Sequence, residues 1–389
     1  MKRQVTNELT HPHIQTISSS DAYRNFIHAC RSPATVETYN RALKCFMDFL
    51  KIDQNAYDQL LQKDPKLIQM DICNFIMYLR KEKNPPASSS AVSTYIAAIN
   101  KFYAMNDLLF NQKRIKSYMG DHEKVAEDRP YTHAEIATLL ANTALRNRAI
   151  ILLMSSSGPR LGAIPLLRIK DLTPISIDNY NIYKIHYYAL SKKSNYYSYC
   201  TPECRHEIDN YLEWRKRWGE RLTDNSPLFR TDYNAVTGTV DGAVGGPGAP
   251  VSKSGIRNMM WVLLQHTGLR KVPTEGESSK RWHIMMTHGL RKFFETNAHK
   301  AGMDLIYIRR LMGQKGGQSA LEDSYLKLTD EELLDGDNRH VGYIGIIDQL
   351  TIDDTHRLKR EVQTLKIDKS KMEQVLERIN LLEDKILNQ

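Results

Sequence analysis

One block of the chain departs from an otherwise helical pattern and sets the fold class. Residues 175–201, ISIDNYNIYKIHYYALSKKSNYYSYCT, are rich in Ile and Tyr and alternate along their length. A period of two is the mark of strands, so this block predicts strands joined by turns at Asp178–Asn179 and near Lys192–Asn195. On either side, apolar residues recur every three or four positions. Val36, Tyr39, Leu43, Phe46 and Leu50 do so within 32–52, where Pro33 suits a helix start. Residues 67–83 predict a second helix, ending before Pro85 and Pro86. Residues 88–108 predict a third, serine-capped, with Val92, Tyr95, Ile96, Ile99 and Phe102 as its apolar face. The expected fold is mainly α with a small antiparallel β-sheet.

Composition shifts divide the 389 residues into units. Residues 1–18 read as a polar arm and 19–118 as an all-helical unit of about four helices. Residues 119–130 are charged, nearly free of apolar side chains and closed by Pro130, as in a linker. The second unit, 131–350, opens on a helix with Thr132 and Glu135 spaced for a capping box. A buried helix over 146–158 follows and stops at Gly158–Pro159. Further helices are expected over 202–220 and 251–269. Residues 237–250, TGTVDGAVGGPGAP, are glycine-rich and lack the GxxxxGK[ST] of a phosphate loop. They are expected to form a surface loop with no regular element. The tail, 351–389, carries a heptad seam from Leu358 through Val362, Leu365, Met372, Leu376 and Ile379 to Ile386, interrupted by Lys369 and Glu383. A coiled-coil or trans-docking helix and a helix packed back on the protein both fit that seam.

Charge narrows the partner. There are 54 Lys+Arg against 45 Asp+Glu, a net charge of +9. It is unevenly spread: residues 321–354 hold ten acids and two bases, which leaves the body before them strongly basic. Such a body suits a polyanion. Five cysteines, an odd number in a long chain, exclude a disulfide scaffold and point to free thiols in a reducing compartment. Cys200, Cys204 and His206 have some zinc-like spacing, but a strand end running into a helix explains it better. No apolar run reaches membrane-spanning length and MKRQVTNELTHPH lacks the apolar core of a signal peptide. A soluble, cytoplasmic, nucleoid-associated protein with no membrane partner is expected.

The chemistry concentrates in two stretches. SSSGPRLGAIPLLRIKDL (155–172) puts Arg160 just past a tight turn. THGLRKFFETNAHKAGMDLIYIRRLMGQKGGQSALEDSYLK (287–327) carries His288 and Arg291 one helical turn apart, then the turn Leu311-Met312-Gly313, then Tyr325. In this ordered set, Gly158-Pro159-Arg160-Leu161-Gly162-Ala163, a lysine in LSKKSNYYSYCTPE, His-x-x-Arg, Leu-Met-Gly and a late tyrosine, the chain resembles the tyrosine recombinases, the phage-type integrases, and in particular their archaeal integrase-like branch. The resemblance spans 19–345 in element order and is sharp over 150–172 and 286–326.

The resemblance implies a helical core-binding domain over 19–118 that clamps DNA and a tyrosine recombinase catalytic domain over 131–350. It implies a site-specific DNA recombinase or integrase of a mobile element, acting as a homotetramer on double-stranded DNA. Arg160, Lys193, His288, Arg291, Gln314 and Tyr325 would be its catalytic residues. The residue types suit the reaction. Transesterification places extra negative charge on the nonbridging phosphate oxygens, which two arginines can grip. A tyrosine hydroxyl attacks as the phenolate, favoured by nearby cations. A hairpin lysine can protonate the 5′-hydroxyl leaving group. The 3′-phosphotyrosine conserves the bond energy, so no cofactor, ATP or metal is needed. Lys192 competes with Lys193, and Tyr343 is the nearest rival to Tyr325. Gln314 stands where the family usually has His or Trp, and a longer step to the tyrosine makes Gln318 a second candidate for that position. Glutamine can hydrogen-bond a phosphate oxygen but cannot shuttle a proton. A DNA-binding relative with weakened catalysis therefore stays open as an alternative, as does a type IB topoisomerase-like enzyme, which would use the same chemistry without exchanging partners.

Overall fold

The computed structural model describes residues 21–120, 128–177, 179–231, 239–240, 243–244, 248–270, 286–314, 328–335 and 341–353, with 366, 369–370, 372–374 and 376–379 of the tail. The chain forms two compact units divided between Val125 and Ala126.

The first unit is helical: α1 (Asp21–His28), α2 (Pro33–Phe49), α3 (Pro65–Met77), α4 (Ser89–Ala104) and α5 (Gln112–Met119). Side-chain oxygens of Ser32, Asp64, Ser88 and Asn111 cap four of these by accepting from the first turn. Proline follows the cap in α2 and α3, where its missing N–H costs nothing. The expected apolar stripes meet in one core in which Leu43, Phe46, Ile72, Phe75, Ile99 and Phe102 are fully buried. Each such side chain contributes roughly 1.5–3 kcal/mol over exposure.

The second unit is built around α7 (Leu145–Ser157). Every residue from Ala149 to Ser157 is buried, as befits a helix covered on all sides. It packs against α6 (His133–Ala141), α8 (Pro202–Arg217) and α10 (Met286–Lys300). The capping box at the start of α6 is formed: Glu135 N donates to Thr132 Oγ1 at 3.2 Å and Thr132 N to Glu135 Oε2 at 2.8 Å. The sheet is antiparallel, β1 (Leu172–Ile177), β2 (Tyr180–Tyr187) and β3 (Tyr196–Tyr199), with Ile177 opposite Tyr180 and Tyr187 opposite Tyr196. Its inward residues Ile182, Ile185 and Tyr187 join the core. The glycine-rich segment corrects the expectation of no regular element. A two-residue ladder, β4 (Thr239–Val240) with β5 (Ala243–Val244), lies within it. Asp-Gly between two valine-bearing pairs is a strong hairpin signal, and here it outweighs the surrounding glycines. Helices α9 (Lys253–His266), α11 (Leu305–Leu311), α12 (Asp330–Leu334) and α13 (Tyr343–Leu350) complete the described elements.

One buried cluster of charges in this unit is paired. Arg215, fully buried, donates from Nε and Nη2 to Glu220 at 2.9 and 2.6 Å, and Arg230 Nη1 donates to the same carboxylate at 2.8 Å. Beyond α13, the buried Glu203 carboxylate accepts from the backbone of Ile352 at 2.7 Å and Asp353 at 3.1 Å, fastening the chain after its last core helix. Among the described residues, no helix is long and apolar enough to cross a membrane.

Candidate active site

The site forms where the C-terminal ends of α7 and α11 meet the β2–β3 hairpin. Helix α7 stops because Gly158 turns left-handed, at φ +58. A Cβ there would lie 2.7 Å from the Phe294 ring, so the position requires glycine for space as well as for conformation. The reversal leaves Arg160 exposed at the head of a 3-10 turn, Leu161–Leu166. The serines ending α7 join it to the hairpin. Ser157 Oγ lies 2.8 Å from the Tyr187 hydroxyl, and Ser198 Oγ donates to the Ser157 carbonyl at 3.2 Å.

Helix α11 ends in the same manner. Gly313 N donates to Arg310 O at 3.0 Å and Gln314 N to Arg309 O at 2.8 Å, the paired bonds of a Schellman motif. Gly313 has φ +60, and a Cβ on it would fall 2.3 Å from the Tyr196 ring. The motif turns its last carbonyls toward the two arginines. Arg160 Nη1 donates to Gly313 O at 2.9 Å. Arg291, 6% exposed on α10, donates to Met312 O from both Nη atoms at 3.1 Å and also to Gly158 O. Burial, and then the neighbouring Arg160 charge, lower the Arg291 pKa from the ordinary arginine value.

Lys193 sits in the turn between β2 and β3. That turn is held by Ser191, whose N–H donates to Tyr188 O at 2.8 Å and whose Oγ accepts from Ser194 N at 3.1 Å. Both Lys192 and Lys193 are exposed, but Lys193 lines the cavity at this site and Lys192 does not. The cavity measures about 760 Å³, and Arg160, Lys193, Arg310, Gln314, Tyr188 and Tyr196 are in its wall. Among the described residues, one carboxylate lines it, Asp330, which is ion-paired with Lys184. Burial pushes the Tyr196 hydroxyl up from its ordinary value, against the pull of the Arg291 and Arg160 charges.

The structure thus brings Arg160, Lys193 and Gln314 to one cavity, with Arg291 beside Arg160. His288 stands exposed one turn before Arg291 and is not part of that lining. On the same helix Lys292 donates to the Asp128 carboxyl at 2.5 Å and holds it below its ordinary range. Tyr325 and Gln318 lie outside the described residues. Tyr343 is fully buried, and its hydroxyl donates to Ser156 O at 2.8 Å as part of the core.

Sequence reasoning did not single out Arg310, Tyr188 or Tyr196. Arg310 lies in the last turn of α11, before the chain reverses at Gly313, so its spacing from Gln314 gave no signal that the two would meet. Tyr188 has φ +53, which no sequence pattern announces. Chemically, the three cations and one ion-paired carboxylate that line the cavity among the described residues favour an oxyanion such as a phosphodiester. Among the described residues no group of His, Cys, Asp and Glu is placed to hold a metal ion.

Neither a protein-family model nor a curated protein matches the chain. Solved structures do. The XerH site-specific recombinase bound to palindromic difH substrate, a post-cleavage complex, is 16% identical with TM-score 0.50, over 77% of this chain and 78% of that one. The Tn1549 transposon integrase (residues 82–397) in complex with circular intermediate DNA is 14% identical with TM-score 0.49, over 80% and 95%. The XerA recombinase is 20% identical with TM-score 0.36, over 80% and 94%. The chain shares its fold with the XerH recombinase, mainly helical with a small three-stranded antiparallel sheet.

Proposed function

We propose that this protein is a site-specific DNA recombinase of the tyrosine type, cutting and rejoining duplex DNA through a 3′-phosphotyrosine intermediate. The observation that carries the reading is the convergence of Arg160, Lys193 and Gln314 on one basic cavity, with Arg291 alongside. These residues come from four separate parts of the chain and were singled out by motif order. The fold shared with XerH supports the same reading.

Each residue has a role in this reaction. Arg160 and Arg291 hold the scissile phosphate and stabilise the charge that grows on its nonbridging oxygens. Lys193 protonates the 5′-oxygen as it leaves, and the mobility of an exposed hairpin side chain suits that task. Gln314 donates a neutral hydrogen bond to the phosphate. Tyr325 is the nucleophile, assigned from the motif. His288 assists from the helix that carries Arg291, also by motif. The helical unit and the catalytic domain hold the duplex, chiefly through phosphate contacts.

Assignment to the archaeal integrase-like branch, to a mobile element and to a nucleoid-associated cytoplasmic location rests on the sequence resemblance. Assembly as a tetramer on DNA is supported by the tail, where Met372, Leu376 and Ile379 of the heptad seam are 65%, 54% and 45% exposed and so available to a neighbouring copy. The deciding experiment traps the protein on a nicked suicide duplex and maps the modified residue. A phosphotyrosine at position 325 is expected. The absence of any covalent adduct would overturn the proposal.

A further inference from the structure

We infer that Arg310 is a further catalytic residue, contacting a nonbridging oxygen of the scissile phosphate and supplying the positive charge that Gln314 lacks. The inference rests on the recombinase reading and extends its site.

Arg310 lies in the last turn of α11, and its half-buried side chain lines the same cavity as Arg160, Lys193 and Gln314. Gln314 follows it across the left-handed turn at Gly313, and both side chains line the one cavity. A basic residue at a helix C-terminus has a plain alternative role, offsetting the negative end of the helix dipole. Both Arg309 and Arg310 lie in that last turn, but Arg309 is exposed at the surface and Arg310 is half-buried in the cavity wall.

The chemistry of the site asks for such a group. Arg160 and Arg291 already donate to the carbonyls of Gly313, Met312 and Gly158, so part of their capacity goes to holding the two helix ends. Gln314 contributes an uncharged amide. As the phosphate becomes pentacoordinate it carries more negative charge than the ground state, and a guanidinium reaching its oxygens binds that state more tightly. Arg310 transfers no proton in this role. It acts by charge and hydrogen bonding alone.

The test begins with a duplex that wild-type protein selects from a randomised pool. That sequence is rebuilt as a nicked suicide substrate, with either a normal phosphate or a methylphosphonate at the scissile position. The methyl group replaces a charged nonbridging oxygen, so a residue that acts on that charge matters less. Arg310→Ala is expected to slow adduct formation about 100-fold on the phosphate, with duplex affinity nearly unchanged and a much smaller deficit on the methylphosphonate. Arg310→Lys, which keeps the charge but loses the fork, should fall between wild type and Arg310→Ala. An Arg310→Ala rate equal to wild type, equal deficits on both substrates, or equal rates for the Ala and Lys variants would each overturn the inference. If wild-type protein forms no adduct at all, the recombinase reading fails first and takes this one with it.

Discussion

The Arg160 guanidinium donates to the Gly313 carbonyl at 2.9 Å, joining residues 153 positions apart. Through this bond the turn after α7 and the turn after α11 form one wall. Arg291 reinforces it by bonding the carbonyls of Gly158 and Met312, one from each turn. The arginines proposed to bind the phosphate therefore also tie the two turns of the site together.

Arg160→Ala and Arg291→Ala should each reduce cleavage by about 10²–10³, the loss expected when one donor to the developing charge is removed. The two should differ in stability. Arg160 is exposed, and its removal should leave the melting temperature nearly unchanged. Arg291 is 6% exposed and bonds two carbonyls, so its removal leaves buried acceptors unsatisfied, at about 1–3 kcal/mol each. Single-turnover cleavage alongside thermal unfolding checks both.

Gly313→Ala should destabilise the second unit and slow cleavage together. The added methyl meets the Tyr196 ring at 2.3 Å and forces an alanine into φ +60. Overpacking of this kind costs about 1–3 kcal/mol, before the backbone strain is counted. A melting temperature equal to wild type would show that Tyr196 yields freely.

Lys193→Ala should be severe on a normal substrate and rescued by a 5′-thio leaving group, which departs without protonation. Lys192→Ala should be mild on both, since Lys192 does not line the cavity. Equal defects of Lys193→Ala on the two substrates would remove it from the general-acid role.

Tyr325→Phe should abolish the covalent adduct and leave duplex binding nearly intact. Tyr343→Phe should leave the adduct and cost about 1 kcal/mol of stability, the loss of one buried hydrogen bond to Ser156. The opposite pattern would exchange their roles.

Glu220→Gln should destabilise the second unit by about 3–5 kcal/mol, because Arg215 and Arg230 would lose their shared buried counter-charge. Burial alone would raise the Glu220 pKa, but hydrogen bonds from Arg215 and Arg230 outweigh it and hold the carboxyl below its ordinary range. A folded pKa below the unfolded value of about 4.3 means that this contribution is complete above that pH. It is lost as pH falls through the lower folded value. Urea unfolding of wild type and variant across this range should show their stability difference shrinking toward acid.

What the sequence determined by itself is local. The period of two in 175–201 and the three-to-four spacing elsewhere correspond to the sheet and the helices, because side-chain direction repeats with backbone geometry. The Thr132–Glu135 box and the stop at Gly158 were legible for the same reason, since a cap or a left-handed turn is settled within a few residues. The motif order was legible too: it named Arg160, Lys193 and Gln314, which line one cavity and whose catalytic roles are proposed. Where local signals competed, the reading went wrong. Glycine content argued against any element over 237–250, yet Asp241-Gly242 lies between two strands that pair. Only the tertiary structure decided what shares a wall. It put Lys193 and not Lys192 in the cavity wall, left His288 outside that lining and brought Arg310 into it. Which side chains meet at a cavity depends on how α7, α11 and the hairpin pack. That packing is set by the burial of residues far apart in the chain, and no window of a few residues contains it.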